Sequence, residues 1–171
     1  MIKRLHTASV IQMLLIALIT VTPAFGQGGR GGRGMMGDAA HAADMQLFHQ
    51  LFDHRTEIER QVIAREDGIE TVTESKNPEV TRLLQTHVAA MLARVKEGRP
   101  IHLRDPLFAE LFKNADRIEA RHERTAGGVR VIETSKDAYV VKRLQAHADV
   151  VSAFLANGMS EMMKNHPVPP R

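Results

Sequence analysis

Two histidines sixty residues apart have the strongest claim to chemistry in this chain. The segments RLLQTHVAAM (82–91) and KRLQAHADVV (142–151) each set a histidine after Leu-Gln and one small residue. Each histidine falls on an apolar stripe: Val80, Leu84, His87, Met91 and Val95 in one, Val140, Leu144, His147, Val151 and Leu155 in the other. Steps of three and four put each set on one face of a helix. Neutral imidazole is a common metal ligand and holds haem iron through one ring nitrogen. Small neighbours, among them Ala89, Ala90, Ala93, Ala146, Ala148 and Ala153, leave room for a flat macrocycle.

If the repeat axis runs between the two helices, His87 and His147 face each other, and one ligand such a pair suits is haem b. It would be non-covalent, because the chain has no cysteine and hence no CxxCH. A transition metal, Cu or Zn, is the other ligand expected at His87 and His147. Met91, one turn after His87, adds a thioether suited to copper, but its counterpart is Val151. The competing expectation is a non-catalytic structural or protein-interaction module. There, each histidine is a core residue hydrogen-bonded to a backbone carbonyl or to Ser75 or Ser135.

A weaker set is His41, Met45, His49 and Asp53, spaced by four, with Met35 and Met36 before it. On one helix face these side chains suit Cu or Zn. The set is not duplicated, since Ala109 and Lys113 stand for His49 and Asp53. His54 and His122 read as local hydrogen-bonding residues. Catalysis finds no motif: there is no HExxH, phosphate loop or Rossmann glycine set, and Ser75 and Ser135 lack a nucleophile elbow. Glu74 and Glu133 fall on strands and are expected to face solvent. No enzyme is expected.

The elements that position the histidines form a duplication. Residues 47–98 match 107–158 without a gap, and 15 of the 52 pairs are identical, including LF at 47–48 and 107–108, Gly68 and Gly128, and Gln85 and Gln145. Each copy reads α-β-α. The first helix carries Leu47, Leu51, Ile58 and Val62, or Leu107, Leu111 and Ile118. IETVTES and VRVIETS read as strands. Asn77, Asp105 and Asp137 are N-cap candidates, and Gly98 and Gly158 close the second helices. A lone strand leaves its backbone groups unpaired, so strands 69–75 and 129–135 are expected to pair antiparallel. The expected fold is α+β and mostly helical: a tandem αβα duplication with pseudo-twofold symmetry, four main helices and a two-stranded ribbon.

Residues 1–26 read as a signal peptide: Lys3 and Arg4, an apolar run from Val10 to Val21, and Ala24 and Gly26 before a cleavage point at Gln27. Residues 27–43 form a Gly/Arg/Met leader, 44–98 and 105–164 the repeats, 99–104 the linker and 165–171 a proline-rich tail. The first segment takes two of the 23 basic residues and no acid, leaving 21 against 20. That balance gives no support for nucleic-acid binding. The expected protein is periplasmic or secreted, binds a small ligand or metal, and has no stable membrane insertion after cleavage.

Overall fold

The structure is a computed structural model that describes residues 39–171. The expected signal peptide, most of the leader, and Met35 and Met36 lie outside the described residues. Helix α1 (Ala39–Asp53) leads through a 3-10 turn into the hairpin β1 (Ile58–Arg65) and β2 (Gly68–Ser75), and then α2 (Pro78–Glu97). The same order follows in the second copy: α3 (Pro106–Lys113), a 3-10 turn, β3 (Glu119–Arg124), β4 (Gly128–Thr134) and α4 (Ala138–Asn157). A short α5 (Met159–Met162) closes the described elements.

The two-stranded ribbon is overturned. The strands form one four-stranded antiparallel sheet in the order β1-β2-β4-β3. Each repeat is thus αββα rather than αβα. Ile58, Val62 and Ile118 continue the helical spacing in sequence, but α1 stops at Asp53 and α3 at Lys113. The residues after them become edge strands. An edge strand outside the core loses the apolar-polar alternation that marks a half-buried strand. β3 is exposed throughout, and Val62 and Ile63 in β1 are 38% and 54% exposed.

The central pair β2·β4 carries the symmetry. Thr71 lies opposite Val131, its own counterpart in the repeat, so the pseudo-twofold axis passes between them. Gly68 and Gly128 are both required by close strand approach: a Cβ would lie 1.9 Å from the Glu133 carbonyl oxygen at one and 2.0 Å from that of Thr73 at the other.

Both long helices lie on one face of the sheet, and each reaches across to the other copy. Among the strands, α2 meets β4 somewhat more than β2, and α4 meets β2 most. The duplicated glutamines fix this crossing. Gln85 Nε2 donates to the carbonyls of Thr125 and Gly128, and Gln145 Nε2 to those of Arg65 and Gly68. Two matching apolar clusters, around Leu51, Val80 and Leu84 and around Leu111, Val140 and Leu144, sit below them. Asn77, Asp105 and Asp137 cap their helices by accepting the N–H two residues on. Among the described residues no helix is long and apolar enough to cross a membrane.

Candidate functional site

α2 and α4 pack on the sheet, and residues of both line a cavity. It has two adjoining lobes of about 210 and 180 Å³. Together they reach the lower part of the range of roughly 300–1,000 Å³ usual for small-molecule sites. His87, Met91, His147, Phe48, Phe154 and Glu133 line both lobes. The first lobe extends under α1 and α3 to Met45, His102, Phe108 and Met162. The second lies on the sheet, with Thr71 and Val131 in its floor and Arg55 and Arg60 in its wall. The axis of the fold therefore emerges inside the site.

Each histidine packs on the phenylalanine of its own repeat. The ring centroids are 5.7 Å apart for His87 and Phe48, and 4.9 Å for His147 and Phe108. Phe154 stands between the halves, 6.3 Å from Phe48 and 6.0 Å from Phe108. Neither histidine makes a hydrogen bond among the described residues, and both Nδ1 atoms are shut away without a partner. Ser75 and Ser135 are already engaged, accepting from the N–H groups of Asn77 and Asp137. Leaving a buried polar atom unpaired costs about 1–3 kcal/mol. Here that happens twice, at matching positions.

Burial pushes His87 down to about 4, with Asp44 opposing weakly. Burial likewise pushes His147 down to about 4, helped by the positive charge of Arg60 and opposed by Asp105. Both rings are deeply enclosed yet keep some accessible surface, which places that surface on the cavity. Both are therefore neutral imidazoles near pH 7, the form that ligates a metal.

The polar groups beside them were not read from sequence as site residues. Glu133 does not face bulk solvent: it lines both lobes, and burial raises its pKa against the opposing charge of Arg60. Arg60 Nη1 donates to Thr73 Oγ1 at 2.7 Å, and burial lowers the guanidinium to about 10. His102, in the linker, has φ 59°; its buried Nε2 makes no hydrogen bond among the described residues but lies 3.9 Å from Asp105 Oδ2, and the ring packs edge-on against Phe108 at 4.9 Å. Nothing in the spacing of IHLRD signals this. For Glu133, the alternation along β4 was available, because it shares a sheet face with Val129 and Val131.

The second expected metal set is divided by the fold. Met45 lines the first lobe, whereas His49 is exposed and His41 is not part of the lining. Among the described residues no three His, Asp or Glu side chains come together as a metal-holding group. His54 bonds locally, its Nδ1 2.7 Å from Glu57 Oε1, and His122 is exposed on β3.

Comparison with protein-family models, curated proteins and solved structures finds no match. Any function must be argued from the cavity itself.

Proposed function

We propose that this chain is a small exported binding protein that holds haem b in the cavity between α2 and α4, with His87 and His147 as the iron ligands. The observation that carries the reading is the matched pair of neutral, unbonded imidazoles on the walls of one apolar cavity. Their place on two different helices that line one cavity suits a ligand wide enough to bridge them. The surrounding Phe48, Phe108 and Phe154 supply apolar and aromatic contact for a flat macrocycle. Export rests on residues 1–26 and is part of the proposal.

Held by His87 and His147, the haem would supply one-electron exchange or simply be carried. The protein's own part is to keep both imidazoles neutral by burial and to exclude water from the pocket. A bare copper ion is the second reading, favoured by Met45, Met91 and Met162 on the same lobe as the histidines. The reading as hydrogen-bonded core residues has less support, since neither ring makes such a bond.

Adding haemin to the purified protein tests the proposal. The expected product has the absorption spectrum of six-coordinate, low-spin haem, and His87→Ala and His147→Ala each convert it to a high-spin form. Absence of a Soret shift, or a spectrum unchanged in both variants, overturns the haem reading. Copper binding by calorimetry that depends on His87 and Met91 then supports the second reading.

A further inference from the structure

The duplication makes the cavity symmetric in its histidines, but its charges are not symmetric. Arg55 and Arg60 both wall the second lobe, and their counterparts in the second repeat are Ala115 and Ala120. The Nε atoms of both arginines are buried and have no hydrogen-bond partner among the described residues. Arg60 spends Nη1 on Thr73, which anchors the guanidinium on the sheet and leaves the Nε side of its fork unused. Arg55 is seated against the chain at Gly158, where a Cβ would come within 3.2 Å of its Nε. Gly158, at φ 66°, thus provides both the backbone conformation and the space that this arginine needs. Glu133 acts on Arg60 through its charge, but no ion pair joins them among the described residues.

Two guanidinium groups that line an apolar cavity, each with donors left over among the described residues, match a carboxylate. Arginine presents its N–H groups as a planar fork that fits two carboxylate oxygens, and such charge-assisted bonds are about twice as strong as neutral ones. We infer that Arg55 and Arg60 form the carboxylate end of the site, so that the ligand is an apolar ring system carrying carboxylates along one edge. This rests on the reading of the cavity as a haem site and deepens it: the histidines would hold the iron, and the two arginines would hold the propionates. The asymmetry then has a purpose. A pseudo-symmetric pocket would accept the ring either way round, and charge at one end selects one orientation.

The test uses metal-free protoporphyrin IX and its dimethyl ester, which differ only at the carboxylates and do not depend on iron ligation. Fluorescence titration of the purified protein is expected to show the free acid binding at least about tenfold tighter than the ester, the scale of one charge-assisted hydrogen bond. In Arg55→Gln/Arg60→Gln the two affinities converge. Arg60→Lys, which keeps the charge but loses the fork, retains part of the preference and serves if the double variant fails to fold. Equal binding of acid and ester by the unaltered protein, or a full preference surviving in the double variant, overturns the inference. A haemin spectrum that ignores His87→Ala and His147→Ala, alongside an arginine-dependent preference for the acid, sinks the haem reading and leaves the carboxylate site standing.

Discussion

Thr71 and Val131 stand directly opposite each other in the central strand pair, and they are the same position of the two repeats. A strand that pairs with its own copy at the same position does so about a twofold axis. The equivalent elements inherit that relation: Phe48 with His87 mirrors Phe108 with His147, and Gln85 mirrors Gln145. Some departures from it line the cavity: Arg55, Arg60, Glu133 and Phe154, whose counterparts in the other repeat are Ala115, Ala120, Thr73 and Arg94. Symmetry builds the walls and places the imidazoles, and its local loss supplies the charges.

The glutamine pair offers a direct measure of the interlock. Each side chain ties two carbonyls of the opposite hairpin to a long helix. Gln85→Ala and Gln145→Ala are each expected to lower stability by about 1–2 kcal/mol in urea unfolding, and the double variant by about the sum, since the sites share no partner. A neutral result at either position would mean that the helices hold their place by apolar packing alone.

The glycine pair is expected to be far less tolerant. Alanine at Gly68 or Gly128 drives a methyl into the carbonyl of the neighbouring central strand, at 1.9 and 2.0 Å. Neither contact can be relieved by rotating a side chain. Each substitution is expected to cost about 3 kcal/mol or more, at the upper end for point changes. Gly98→Ala, with open space around it but φ 61°, is expected to cost about 1 kcal/mol. Reversal of that order in thermal melts would contradict the close approach of β2 and β4.

Acid should destabilise the ligand-free protein through its two cavity histidines. Their folded values near 4 lie below the ordinary 6.5, so between those limits the unfolded chain binds protons that the folded chain refuses. Stability therefore falls as pH drops from 6.5 to 4, at up to about 1.4 kcal/mol per pH unit for each histidine. Glu133, raised by burial, titrates in the opposite sense. The decisive comparison is consequently with His87→Gln/His147→Gln, whose dependence over this window should be shallower by nearly two protons. Identical slopes would show that the rings are charged or solvated in the folded state.

The sequence displayed what repetition and caps encode: the sixty-residue offset, the long helices, and the N-caps at Asn77, Asp105 and Asp137. It hid β1 and β3 because β3 throughout, and β1 beyond Arg60, are exposed on both sides and carry no period, while Ile58 and Ile118 happen to continue the helical spacing. Of the site, His87 and His147 were visible because they are duplicated. Arg60 was not, because charge on a strand ordinarily marks a solvent face; for Glu133 the same expectation outweighed the one signal it carried, a strand face shared with Val129 and Val131. His102 depended on a linker conformation that no spacing encodes.

The C-terminal tail is expected to be held by a latch that weakens with alkali. His166 Nδ1 is 2.5 Å from Oδ2 of the fully buried Asp105, and Nε2 is 3.2 Å from Glu161 Oε1. Burial by itself would lower the His166 pKa, but the bonds to these two carboxylates outweigh it and the net shift is upward. A histidine whose folded value is raised contributes stability that is fully present below its unfolded value near 6.5, and loses it as pH rises through the folded value. Asp105 also caps α3 through Leu107 N–H, and Arg143 Nη2 holds the Pro169 carbonyl at 2.7 Å, so the latch ties the tail to both α3 and α4. Unfolding free energies measured from pH 6 to 9 should decline in the unaltered protein and stay nearly flat in His166→Gln. Limited proteolysis at the upper pH should clip the tail of the unaltered protein as readily as that of the variant at pH 6. Parallel declines in the two proteins would place the alkaline sensitivity elsewhere and remove His166 from the latch.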